Sequence, residues 1–111
     1  MSNLVNRSEL LAQQDNVATS AVSISVNRRD ASRLAIQVLI NTLDLDGYVI
    51  VEASIDDVYY EADLSSKYTI LEEDSSVLYE IQEPSAQYYR IRIVRNTGTY
   101  DVKIQALLSG G

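Results

Sequence analysis

The chain has 111 residues and a formal net charge of −7 at pH 7, with no His, Cys, Trp or Phe; its aromatic side chains are eight Tyr. Without Cys there is no disulfide framework, thiolate zinc site, iron–sulfur cluster or cysteine nucleophile. Without His there is no Ser–His dyad, imidazole ligand or proton shuttle working near neutral pH. The composition points to one acidic domain with a modest core, no enzymatic activity, no cofactor and no bound metal.

In chain order, Met1 to Ser8 shows no apolar h-region, so no secretory signal is expected. No apolar run approaches the roughly 18–20 residues that span a bilayer, and synthesis in a cytoplasm follows. Residues 1–16 read as an arm outside the folded domain, extended or partly helical, with residues 8–16 the one stretch that could form a short helix and Ser8 its possible N-cap. Val22, Ile24 and Val26 alternate with Ser23, Ser25 and Asn27 as in a half-buried strand. Leu34, Ile36, Val38 and Ile40 form the inward face of the next. Asp44-Leu45-Asp46-Gly47 carries turn chemistry and predicts a hairpin. In the strand Tyr48 to Ile55, Val49, Val51, Ala53 and Ile55 share one face. Asp56-Asp57 is a turn, Val58 to Ala62 a short strand, Leu64 to Ser66 a loop and Lys67 to Leu71 a further strand.

After the turn Glu72 to Ser75, Val77, Tyr79 and Ile81 alternate with Leu78, Glu80 and Gln82, and Pro84, unable to donate to a ladder, ends the strand. Tyr89, Ile91 and Ile93 face inward from the strand Tyr88 to Val94. Asn96-Thr97-Gly98 supplies a hairpin turn, and Tyr100, Val102, Ile104 and Ala106 form the last inward row. About eight short strands at roughly 8–12-residue spacing are the signature of an all-β sandwich or barrel; the fold expected is a single antiparallel jelly-roll-like sandwich over residues 17–108. Residues 109–111 are expected to be a flexible tail.

Charge is uneven along the chain. From Asp44 to Glu83 there are twelve acids against one base, Lys67, a net of −11, while the flanks carry +4. The field of such a surface repels phosphate, so neither nucleic acid nor an anionic membrane is an expected partner. The acids serve solubility, or they meet Arg-rich edges of neighbouring copies; seven of the nine bases are Arg, suited to bidentate carboxylate pairing. Asp44-x-Asp46-Gly47 fails as a calcium loop because its Gly falls at the fourth position, not the sixth. Asp56/Asp57 and Glu72/Glu73 are turn tips rather than carboxylates facing each other across a sugar. Of the paired tyrosines 59/60 and 88/89, strand alternation sends one ring of each pair inward; Tyr89 and Tyr100 are expected in the core and Tyr88 outside. Tyr88 beside Arg90 and Arg92 then offers either a sugar-stacking or protein-contact patch, or plain cross-strand packing. Arg90, Arg92 and Arg95 lack the Gly-rich cradle of a phosphate site.

The segment from Gly47 to Tyr60, GYVIVEASIDDVYY, resembles a strand–turn–strand pattern of small tailed-bacteriophage virion proteins, V-x-V-x-A-S-x-D-G-x-x-W. Tyr88-Tyr89-Arg90-Ile91-Arg92-Ile93, the turn Asn96-Thr97-Gly98 and the strand Tyr100 to Ile104 resemble that pattern's later Y-x-R-V-x-V strand, Gly turn and V-x-V strand. The likeness spans residues 20–107. Asp57 replaces the pattern's Gly, and Tyr60 stands where Trp is common; carbohydrate-binding and discoidin-like sandwiches use similar wording. The resemblance implies a virion structural protein. A capsid decoration (cement) protein comes first and a tail, neck or fibre component second; a carbohydrate-binding module is the alternative from another class. Its implied partners are a major capsid protein or tail proteins and further copies of itself, in a homo-oligomer, with the N-terminal arm as a strap. The residues expected at protein contacts are Leu10, Leu11, Arg28, Arg29, Tyr88, Arg90 and Arg92.

Overall fold

The computed structural model describes residues 5–82 and 84–110. Ten strands run in the order β1 (Val5–Val17), β2 (Ala21–Val22), β3 (Val26–Asn27), β4 (Arg33–Asn41), β5 (Asp46–Ser54), β6 (Glu61–Ala62), β7 (Tyr68–Leu71), β8 (Ser75–Gln82), β9 (Tyr88–Thr97) and β10 (Tyr100–Gly110), with a 3-10 turn at Leu64–Ser66 between β6 and β7. One sheet has the order β1-β10-β4-β8; the other has β9 and β5 at its centre, with β2 and β3 on β9 and β6 and β7 on β5. Every pairing is antiparallel. Counting β2/β3 and β6/β7 as interrupted strands leaves eight, and all connections but β5 to β6/β7 cross between the sheets. That winding is a jelly roll.

Alternation built both inner faces. Leu34, Ile36, Val38 and Ile40 of β4 interleave with Val102, Ile104, Ala106 and Leu108 of β10, and across the sandwich they meet Val49, Val51, Ile91 and Ile93. Tyr89 and Tyr100 are buried among them, and Tyr88 lies on the outside. The Tyr100 hydroxyl donates to the Thr19 carbonyl at 2.9 Å, so its polar tip is satisfied.

Several expectations are corrected. Of the two conformations expected for the N-terminal segment its described part takes the extended one, and it does not stand outside the sandwich: Val5–Val17 is an edge strand in register with β10. A bulge between Leu10 and Ala12 turns Leu11 into the core and frees its carbonyl to accept from Ile24 N of the opposite sheet at 3.2 Å. Ser109 and Gly110, placed in a flexible tail, complete β10 opposite Asn6 and Val5.

The stretch 22–26 is two fragments. Val22 and Ile24 are exposed while Ser23 is buried, because the Ser23 hydroxyl accepts from Ile91 N at 2.9 Å and stands in for a ladder group. Both expected hairpins are corners: β4 and β5 lie in different sheets, as do β9 and β10. Thr42 ties these corners together, its hydroxyl donating to Thr99 O and accepting from Leu45 N, while Asp44 accepts from Thr99 N. Gly98 sits at φ +93 with its Cβ position 2.2 Å from the Asp44 carbonyl oxygen, a place for glycine alone.

Candidate interaction surface

The outer face of the β9–β5 sheet carries a strongly polar cluster at its strand centres. β5 is covered on both faces, so Glu52 is 7% exposed. Register places Glu52 opposite Arg90 and diagonal to Arg92. Each guanidinium gives its Nε to a different Glu52 carboxylate oxygen at 2.8 Å. Burial works to raise the Glu52 pKa, but the hydrogen bonds and charges of Arg92 and Arg90 outweigh it and hold the carboxyl below its usual value. Arg90 also stacks on the Tyr60 ring, 3.8 Å from its centroid, and the Tyr60 hydroxyl donates to Asp57.

Asp57 belongs to a tightly braced loop. Asp56 Oδ1 accepts from Val58 N, Tyr59 N and the Ser54 hydroxyl at 2.9–3.0 Å, and the Ser54 oxygen accepts from Asp57 N at 3.0 Å. Those backbone donors keep the Asp56 pKa low, and the Tyr60 hydroxyl does the same for Asp57. Asp57 takes the left-handed conformation at φ 62, which Asp tolerates better than most residues. The braced loop presents Ile55, Val58 and Tyr59 to solvent, 81%, 69% and 81% exposed. A recess of about 490 Å³ beside Tyr59 is walled by Ala53, Glu61, Ser85 and Ala86.

The expected contact residues are scattered. Arg90 and Arg92 share one intramolecular carboxylate through their Nε groups, which leaves the triad with a net charge of +1 and both side chains partly exposed. Tyr88 is half-buried next to them. Arg28 is a loop pin, its Nε donating to Ala86 O at 2.6 Å and its Nη1 reaching Ala31 O at 3.4 Å. Arg29 is exposed in a left-handed turn position, φ 51. Leu10 is half-exposed on the outer face of the β1–β10–β4–β8 sheet, whereas Leu11 is 3% exposed and belongs to the core, which removes it as a contact. Neither Tyr59 nor Tyr60 is in the core: both precede β6, outside any strand, so alternation does not govern them. The apolar tip was missed by sequence reasoning. Its signal is Ile55 following a buried Ser54, since an inward Ile55 requires a strand that the Asp56 turn has already ended. Among the described residues no three acidic side chains gather closely enough to hold a metal ion, and no helix is long and apolar enough to cross a membrane.

No family model matches the sequence, and neither does any curated protein. Solved structures do share its fold. The PBSX exported protein XepA superposes with a TM-score of 0.69 at 14% identity over 95% of this chain, which spans 37% of XepA. The SPBc2 prophage-derived protein YomS gives 0.65 at 9% identity, covering 99% of this chain and 97% of YomS. The tobacco streak virus coat protein gives 0.54 at 7% identity over 98% and 87%. The fold is also that of the C-terminal CBM6 module of the laminarinase LamC from Zobellia galactanivorans, with a TM-score of 0.51 at 8% identity over 96% and 99%. At these identities the likeness defines a jelly-roll sandwich and nothing finer.

Proposed function

We propose that this chain is a non-enzymatic structural component of a bacteriophage particle, a capsid decoration protein that reinforces contacts between shell subunits. The observation that carries the reading is the end-to-end match with the prophage-derived YomS, in which one jelly roll accounts for nearly the whole of both chains. The virion-protein resemblance of residues 20–107 and the shared fold of a viral coat protein support it. The contact element is the braced tip of Ile55, Val58 and Tyr59, which is pre-ordered and so loses little conformational entropy on docking. Leu10 and Arg29 lie at accessible positions and serve as further contacts.

The test is thermal release of DNA from particles made with and without the protein. Particles lacking it should release DNA at lower temperature, and adding back wild-type protein should restore resistance, whereas a Val58→Asp, Tyr59→Ser variant should not. Equal release temperatures would overturn the decoration role, and binding to tails alone would move the protein to the tail or neck.

A second reading, carbohydrate binding, is favoured by the recess beside Tyr59 and the fold shared with a carbohydrate-binding module. It expects glycan-array signal that Tyr59→Ala abolishes; a blank wild-type array removes it.

A further inference from the structure

The jelly roll leaves four strand edges, and they are protected to different degrees. β2 and β3 on one margin, and β6 and β7 on another, are two to four residues long, too short to template a partner strand. β1 is long, but two register breaks interrupt it, and Arg7, Glu9 and Asp15 lie along it. Bulges and charges of this kind are the usual devices against edge pairing. β8 has neither. Its eight residues, SSVLYEIQ, hold unbroken register with β4 from Ser75 to Gln82, with no proline and one charge, Glu80. Among the described residues no strand pairs with its other side, and none of its backbone groups bonds outside the sheet.

The face beside this edge is suited to continuation. Register aligns an outward row, Leu10–Gln105–Gln37–Leu78, without a charge in it, and Leu78 is 55% exposed at its end.

We infer that β8 pairs antiparallel with β8 of a second copy, joining two four-stranded sheets into one of eight strands across a two-fold axis at Leu78. The sequence selects this register. Keeping both cores on the same side requires outward residues to oppose outward residues, so paired residue numbers must sum to an even value. Only axes at Leu78 or Tyr79 then pair seven of the eight residues. The Tyr79 axis sets Glu80 against Leu78. The Leu78 axis sets Glu80 against Ser76, whose hydroxyl donates to a carboxylate, along with Val77 against Tyr79, Ser75 against Ile81, and Leu78 against itself. This interface is isologous and closed, as two-fold pairing demands. It depends on the edge alone and holds whether or not the protein belongs to a virion.

Because the chain has no Cys, one engineered thiol reports directly on the axis. Directly opposed residues of an antiparallel pair have Cα atoms about 4.5–5.5 Å apart, within disulfide reach. On mild oxidation Leu78→Cys should form a covalent dimer almost quantitatively, whereas Leu107→Cys, on the same outer face but one strand beyond β4, should stay monomeric. Light scattering should give the unmodified protein twice its 12.4 kDa mass, and Leu78→Glu, with two carboxylates on the axis, should be a folded monomer by circular dichroism. A monomeric wild type, a Leu78→Glu dimer, or equal cross-linking at the two positions would each overturn the inference.

Discussion

Replacing Glu52 with Gln keeps its shape and removes the charge that Arg90 and Arg92 share. Hydrogen bonds between charged groups contribute about 1.5–3 kcal/mol each when buried, and both arginines are partly open to water, which weakens the pair. Glu52→Gln should therefore cost about 1–3 kcal/mol at pH 7 by urea denaturation. The sign of the pH dependence follows from the lowered carboxyl pKa. Between the folded value and the higher unfolded one, the unfolded chain binds more protons, so stability rises with pH. The Glu52 contribution is complete above the unfolded value and disappears as pH falls through the folded one. Wild type should lose more stability than Glu52→Gln on going from pH 6 to pH 3; parallel losses would deny the triad its role. Tyr79 behaves conversely at high pH. Burial, with Asp63 nearby, pushes its hydroxyl up to about 12, and its proton donates to Ser66 O at 2.7 Å.

At Gly98 the backbone sits at φ +93 and a Cβ would lie 2.2 Å from the Asp44 carbonyl. Gly98→Ala should cost about 1–3 kcal/mol or more, read as a lowered denaturation midpoint with unchanged slope.

Among the elements, β1 differs most between sequence and structure. Its polar, bulged sequence has no clean alternation: Glu9, Leu10, Leu11 and Ala12 fit neither period two nor a helix longer than two turns. Pairing with β10 over the length of the sheet decides its conformation. Leu11→Ala should then cost about 2–4 kcal/mol, as for a buried leucine, and the adjacent Leu10→Ala less than about 0.5 kcal/mol. Removing residues 1–16 should unfold the domain, where an arm outside it would be dispensable. The strands with regular alternation, β4, β8, β9 and β10, were legible with their inward faces because one face meets the core and the other water. Their partners were not. Asp-Gly and Asn-Thr-Gly mark a reversal of direction, but a reversal leads equally to a hairpin neighbour or to the opposite sheet, and nothing local distinguishes them. Glu52 was hidden for a related reason: its partners Arg90 and Arg92 lie some forty residues away in sequence.

For the whole molecule, the winding explains where charge goes. Corners gather Asp15, Asp44, Asp46, Asp74 and Asp101 with Glu72 and Glu73 at one end, where Asp44, Asp74 and Asp101 accept from backbone N–H groups of Thr99, Thr42 and Asn16. Part of the acidity is thus turn chemistry, and the rest is surface that keeps copies soluble. The sequence-level charge count showed the imbalance but could not separate these uses. The apolar tip at Ile55, Val58 and Tyr59 lies at the opposite end of β5, away from that acidic end, where a partner surface meets fewer carboxylates.

The most direct test of the virion assignment is co-sedimentation of purified protein with particles produced by a phage from which its gene has been deleted. A virion component should pellet with those particles, saturate at a fixed copy number per particle and be competed by unlabelled protein. Protein that stays in the supernatant at every ratio, while wild-type particles also lack the chain by mass spectrometry, would contradict the assignment.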